Sequence, residues 1–128
     1  MKTQPRTCGG RPAAALLLAL FMLGAPGVAR AHAHPDHADP KVGSTVAAPP
    51  SQVRIWFDSD LEPAFSSIAV HGPDGATVGD GHGRVNPSDP KLLEVDVPRL
   101  ARGTYRVAWS VVARDGHRSS GDYEFTVR

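Results

Sequence analysis

The stretch GTYRVAWSVVAR, residues 103–114, decides the fold class of this chain. Tyr105, Val107, Trp109 and Val111 alternate in it with polar or small residues, which is the two-residue period of a strand with one buried face. No long segment of the chain shows the 3.6-residue period of an amphipathic helix. We therefore predict that this stretch is a central strand of the core.

The other strand-like segments are shorter and are separated by turns rich in Gly and Pro. Residues 53–58 alternate in the same way, and GPDG at 72–75 has the residues of a turn. Short strands at intervals of about 8 to 12 residues are typical of a β-sandwich or Greek-key barrel. We predict an all-β fold, with both tryptophans, Trp56 and Trp109, serving to pack it. The predicted strands are 44–47, 53–58, 66–72, 92–97, 103–114 and 121–127, with one more inside 76–85.

The first 31 residues have the pattern of a secretory signal peptide. A basic start is followed by an apolar run at 13–23, which is shorter than the roughly 20 residues of a membrane-spanning helix. Gly and Pro residues then lead to Ala29-Arg30-Ala31, whose small first and third residues suit signal peptidase. We predict cleavage after Ala31, which leaves residues 32–128 as one small exported domain without a membrane segment.

Removal of this leader changes the charge and the sulfur content of the chain. The remaining residues carry ten Lys plus Arg against thirteen Asp plus Glu, a net charge of −3. Nucleic-acid binding is therefore not expected, because no basic surface remains to neutralise phosphates. Cys8 and both methionines lie in the leader, so the processed domain has neither a disulfide nor a thioether.

All six histidines of the chain fall in the processed domain, and one of them would begin it. An amino-terminal His32 offers its α-amine and its ring nitrogen to the same metal ion, an arrangement called a histidine brace. Cu(II) favours such nitrogen-rich, tetragonal surroundings and has the highest affinity of the divalent first-row metals. The histidines are His32, His34, His37, His71, His82 and His117.

A second mode of metal binding is available to the same residues. His34 would be the third residue of the processed chain, so the amine, two deprotonated amides and the His34 ring could enclose Cu(II) or Ni(II) in a square plane. This planar mode needs no fold, whereas the brace needs a further ligand from the domain. Both modes use the amine of His32, so one ion can adopt only one of them.

The further ligands for a brace are predicted in the segment DGH at 115–117. Asp115 and His117 stand two residues apart, which would place both side chains on one side of an extended segment. A carboxylate and an imidazole added to the brace give a mixed nitrogen and oxygen donor set that suits Cu(II). The same three residues are also typical of a turn that closes a hairpin.

Several motifs in this order resemble the CopC-type copper-binding proteins of bacterial copper resistance. They are the His-x-His start, D-P-x-x-G-x-x-V-x-x-x-P from Asp39, G-x-Y-x-V-x-W from Gly103, D-x-H at 115–117 and G-x-Y-x-F-x-V from Gly121. The resemblance implies a seven-stranded Greek-key β-barrel or sandwich of the immunoglobulin-like or cupredoxin-like type. It also implies Cu(II) ligation by His32, Asp115 and His117, with His34 as a possible additional ligand.

The chain departs from this family in three places. Some members hold Cu(I) in a methionine-rich loop, which a domain without methionine cannot do. Where many members have two acids in F-S-E-x-V-E, this chain has FDSDLE, so that Ser59 replaces the first acid and either Asp58 or Asp60 stands in for it. His37, and His82 with Asp80, are candidates for a weaker second metal site or for solvated loop residues.

These observations lead to a functional prediction. We expect a soluble, monomeric periplasmic protein that binds Cu(II) for copper sequestration or transfer, is not an enzyme, and delivers copper to an inner-membrane permease as the family resemblance suggests. Two alternatives stay open, a histidine-brace copper monooxygenase and a metal-free immunoglobulin-like accessory domain.

Overall fold

The computed structural model describes residues 32–128, which form eight β-strands and one short 3₁₀ helix. The predicted signal peptide lies outside the described residues. Two long strands, each of ten residues, form the hairpin at the centre of the fold. The elements are β1 (Pro35–Asp39), β2 (Thr45–Val46), β3 (Gln52–Phe57), the 3₁₀ helix (Pro63–Phe65), β4 (Ser67–His71), β5 (Arg84–Asn86), β6 (Asp89–Asp96), β7 (Gly103–Val112) and β8 (Arg118–Val127).

The strands form two four-stranded sheets that face each other. One sheet has the order β1-β3-β6-β5 and the other β2-β8-β7-β4. All neighbours are antiparallel except β2 and β8, which are parallel. If β1 and β2 are counted as two parts of one first strand, this is the strand order of an immunoglobulin domain. The predicted all-β sandwich is confirmed.

The described fold has one strand more than the sequence predicted. The additional strand is β1, which lies at the edge of its sheet and pairs with β3. Its sequence, PDHAD, shows no alternation of apolar and polar residues, and only Ala38 packs against the core. Backbone hydrogen bonds to β3 therefore make this strand, and they leave no hydrophobic pattern in the sequence.

The core lies between the two sheets and is built from alternate residues of each strand. Val53, Ile55 and Phe57 of β3 are buried, as their alternation predicted. Tyr105 and Val107 meet them from β7 in the opposite sheet. Burial of apolar side chains is the main stabilising contribution to a domain of this size, which has no disulfide.

The two tryptophans both pack, but in different places. Trp109 lies at the border of the core, with its ring edge-on to Phe57 at 5.2 Å and over Gly121 of the neighbouring strand. A Cβ atom at position 121 would approach the indole to 2.7 Å, so this position requires glycine. Trp56 lies on the outer face of its sheet, where the His37 ring stacks on it at 4.4 Å.

The two tyrosines differ in the hydrogen bonding of their hydroxyl groups. At the start of β7, the Tyr105 hydroxyl donates to the carbonyl of Ala101 at 2.8 Å, which is the tyrosine corner of immunoglobulin-like domains. The Tyr123 hydroxyl is buried and has no hydrogen-bond partner among residues 32–128. Burial, with a smaller contribution from the Asp39 carboxylate, raises the pKa of Tyr123 far above its usual range.

Among residues 32–128, no helix combines the length and the apolar character that crossing a membrane requires.

We expect the two Tyr→Phe variants to differ in their free energy of unfolding. Tyr105→Phe should lower the free energy of unfolding by about 1 kcal/mol, since it removes a formed hydrogen bond. Tyr123→Phe should leave it unchanged or raise it by up to about 1 kcal/mol, since it removes an unsatisfied polar group. Urea unfolding of both variants at neutral pH measures the difference.

The pH dependence of stability provides a second test of the Tyr123 environment. In the unfolded chain a tyrosine ionises near pH 10, whereas the folded protein keeps Tyr123 neutral. The contribution of Tyr123 to the free energy of unfolding is therefore fully present below about pH 10 and is lost as the pH rises above it. Tyr123→Phe should make this alkaline loss of stability smaller. Equal alkaline losses in the wild type and in this variant would show that the phenol is solvated.

Candidate metal centre

Three segments distant in sequence meet at one end of the sandwich. Residues 32–34 approach the loop that follows β3 and the turn between β7 and β8. That loop and that turn also contact each other, through an isolated β-bridge between Leu61 and Ala113. The predicted ligands His32, Asp115 and His117 are all at this end.

Ala33 anchors the amino-terminal segment to the domain. Its side chain is fully buried and belongs to the hydrophobic core, although both neighbouring histidines are exposed. Its carbonyl oxygen accepts a 2.7 Å hydrogen bond from the Ser119 hydroxyl of β8. The segment is therefore fixed to one sheet through this bond, with its register set by a single methyl group.

Asp58, immediately after β3, holds the backbone of His34. The His34 N–H donates to the Asp58 carboxylate at 2.9 Å, and the His34 carbonyl accepts from the Asp58 N–H at 3.0 Å. The hydrogen bond from His34 is the main reason why the pKa of Asp58 is lowered, and Ser59 Oγ, 3.1 Å away, adds to it. The segment is thus also tied to the other sheet.

The structure distinguishes the two acids that the sequence analysis left as alternatives. Asp58 makes the contact with the amino-terminal segment, whereas Asp60 lies 3.7 Å from the Arg114 guanidinium. Ser59 assists by donating its hydroxyl to Asp58. Asp58 is therefore the carboxylate that supports the candidate site.

The ring of His32 lies against that of His117. Their centroids are 5.1 Å apart, whereas those of His32 and His34 are 6.1 Å apart. Two imidazoles that share one ion through nitrogen–metal bonds of about 2 Å have centroids roughly 4.5 to 6.3 Å apart, depending on the angle at the metal, and both spacings fall in this range. The spacing of His32 and His117 therefore fits a shared ion.

Asp115 and His117 lie in a turn, so the prediction that they belong to an extended segment was wrong. Gly116 has a φ of +90°, and the His117 N–H donates to Asp115 Oδ1 at 3.0 Å. The Asp115 side chain thus accepts a hydrogen bond from the backbone of its own turn, as aspartate often does. The turn places the Asp115 carboxylate 3.1 Å from His117 Nδ1. Hydrogen bonding from the His117 backbone is the main reason why the pKa of Asp115 is lowered.

The side chains are close together but are not yet aimed at one point. Within residues 32–128, no group of three or more His, Cys, Asp or Glu side chains is arranged to hold a metal ion as it stands. In the full-length chain the nitrogen of His32 is also a peptide nitrogen, so the amine needed for a brace does not exist. A histidine brace at this position would therefore require cleavage before His32.

The remaining histidines contact other neighbours. His37 stacks on Trp56 and contacts Asp36 at 2.9 Å, and His71 lies 3.5 Å from the Thr77 hydroxyl. His82 lies in a second D-G-H turn, where its N–H donates to Asp80 Oδ1 at 3.0 Å. In the described part of the chain, His37 forms no metal-binding group with Asp80 and His82.

The chain is similar in sequence and in fold to known proteins with a CopC domain. The CopC domain model matches residues 36–128, a range that starts within β1 and includes the D-G-H turn at 115–117. The crystal structure of CopC from Methylosinus trichosporium OB3b is 38% identical, with a TM-score of 0.70, and the match covers 75% of this chain and 93% of that one.

Two relatives from Escherichia coli match at the level of sequence. Copper resistance protein C is 33% identical over 128 residues, covering 89% of this chain and 95% of its own length. Protein YobA of strain K12 is 35% identical over 99 residues, covering 77% of this chain and 80% of its own length.

The contacts of Asp58 and Asp115 predict their titration in the metal-free protein. Both carboxyls should ionise below the ordinary aspartate value of about 3.9. Because these pKa values are lowered, the stability that they contribute is present above that value and is lost as the pH falls through the folded-state pKa. Carboxyl ¹³C NMR measures both midpoints, and the His34 amide shift should follow the midpoint of Asp58. An ordinary pKa for Asp58 would show that the amino-terminal segment is not held in solution.

Proposed function

Because this chain belongs to the CopC domain family, we propose that it binds one copper ion as Cu(II) at its amino-terminal histidine cluster and sequesters or transfers it. The observation that carries this proposal is the contact between His32 and the D-G-H turn, in which the His117 ring lies 5.1 Å from the His32 ring although the two residues are far apart in the sequence. The name of its relative, copper resistance protein C, supports copper as the cargo.

The proposed ligands are the amine and ring of His32, the carboxylate of Asp115 and the ring of His117. Nitrogen and oxygen donors in a tetragonal arrangement suit Cu(II), whereas Cu(I) prefers thiolate and thioether ligands. Residues 32–128 contain no cysteine or methionine, so the domain has no such ligands for Cu(I). We therefore expect copper to be bound in its oxidised state and released on reduction.

The proposal requires export and cleavage. In this proposal, signal peptidase cuts after Ala31 and releases the amine of His32, and the processed protein acts in the periplasm as a monomer. An inner-membrane copper permease is the proposed recipient of the ion. Catalysis is not proposed, because an Asp115 ligand would take coordination space that an oxygen-activating copper centre needs open.

The requirement for a free amine gives the first test. Residues 32–128 should bind one Cu(II) tightly, whereas the same domain with one extra residue before His32 should bind much more weakly. His117→Ala should also weaken binding, and both changes should alter the electron paramagnetic resonance spectrum. His82→Ala is the matched control, because it removes a histidine from the other D-G-H turn.

Two outcomes would contradict this proposal. Equal binding by the native and the extended forms would show that the amino terminus is not a ligand. Binding that is insensitive to His117→Ala would show that the domain does not complete the site.

Copper should also stabilise the folded domain. Free Cu(II) at a hundredfold excess over Kd stabilises a native state by about 2.7 kcal/mol. For a domain of this size the Tm should rise by on the order of 10 to 20 °C. Ascorbate should reverse the rise by reducing the ion, and His117→Ala should diminish it. A Tm that does not respond to Cu(II) would favour a metal-free accessory domain.

A further inference from the structure

Residues 32–34 can in principle hold a metal in two ways that make opposite demands on one nitrogen. In the brace, the backbone nitrogen of His34 keeps its proton. In the planar mode, the ion displaces the amide protons of Ala33 and His34, both protons pass to the buffer, and four nitrogens surround the ion. The state of the His34 amide therefore distinguishes the two modes.

The folded domain already uses the proton of this amide. The His34 N–H donates to the Asp58 carboxylate at 2.9 Å, and a hydrogen bond to a charged acceptor is stronger than one to a neutral acceptor. The reciprocal bond, from the Asp58 N–H to the His34 carbonyl at 3.0 Å, fixes the direction of the peptide. Deprotonation of the His34 nitrogen would place a negative nitrogen against a carboxylate.

The preceding residue is also restrained. The Ala33 carbonyl accepts from the Ser119 hydroxyl at 2.7 Å, and its methyl group is fully buried in the core. The planar mode requires the peptide groups of residues 32–34 to lie in one plane around the ion. Rotation into that plane would act against both restraints on Ala33.

We propose that Asp58 and Ser119 act as a metal-selectivity clamp, which keeps the His34 amide protonated and so suppresses planar coordination. This inference rests on the proposed function, and it identifies His34 as a residue whose backbone is held rather than a ligand. Ni(II) is the metal that the clamp excludes most effectively, because tight binding of Ni(II) at an amino terminus depends on planar coordination by deprotonated amides. Cu(II) retains the brace as an alternative.

Nickel chloride alone is the probe, added to residues 32–128, which contain the whole described core. The variant Asp58→Ala removes the acceptor, and Asp60→Ala is its matched control with the same change of charge in the same loop. Asp58→Asn keeps an oxygen that can accept from the His34 N–H, so it tests for rescue. Ser119→Ala and its neighbour Ser120→Ala form a second matched pair, and circular dichroism establishes that each variant is folded.

The wild type should bind Ni(II) weakly and without the yellow absorption of diamagnetic planar nickel. Asp58→Ala should show that absorption and bind Ni(II) about ten- to a hundredfold more tightly, as expected from the loss of one charge-assisted hydrogen bond. Ser119→Ala should change in the same direction by a smaller factor. Asp60→Ala and Ser120→Ala should behave as the wild type does. Asp58→Asn should lie between the wild type and Asp58→Ala, because it keeps an acceptor for the His34 N–H but loses the negative charge.

The clamp is refuted if the wild type already forms planar nickel, or if Asp58→Ala and Asp60→Ala give the same nickel spectrum and affinity. Copper binding separates this failure from that of the proposed function. Wild-type Cu(II) binding that depends on His117, together with planar nickel, would refute the clamp and leave the copper function intact. Loss of the His117 dependence would instead refute the proposed copper site.

Discussion

The burial of one methyl group, that of Ala33, is the constraint on which the candidate site depends. Burial of so small a side chain contributes little free energy, but it fixes which residues of the amino-terminal segment face outwards. Hydrogen bonds to Asp58 after β3 and to Ser119 of β8 then join this segment to both sheets. A short exposed segment next to the predicted cleavage site would otherwise be among the least ordered parts of a domain.

The arrangement resembles the way in which immunoglobulin domains carry binding residues. In both, a rigid sandwich presents loops at one end, and the strands beneath provide position but no chemistry. Here the contributing segments are the amino terminus, the loop after β3 and the turn between β7 and β8. Each is anchored at the point where it leaves a strand, so little freedom remains to be lost when a ligand binds.

Alternation of side chains made the sandwich predictable, and the same rule explains what was missed. Strands such as β3 and β7 bury every second residue and so show their period in the sequence. The edge strand β1 buries almost none of its side chains, so it has no apolar period. Asp115 and His117 form a hydrogen-bonded turn, and over only three residues the sequence does not distinguish a turn from an extended segment. The proximity of His32 to His117 was predictable from motif and position, whereas their ligation of a metal ion stays a prediction. Ser119 was not predictable, because its role is a hydrogen bond to a residue 86 positions away.

The same anchor separates folding from function in an unusual way. The contacts that hold residues 33 and 34 all lie downstream of the predicted cut, so a molecule cleaved one residue too early would fold to the same structure. It would pass the quality control that removes unfolded proteins, and yet it would lack the amine at His32. Under the proposed mode of copper binding, the accuracy of a protease, rather than the stability of the fold, would set the fraction of molecules that can bind the ion.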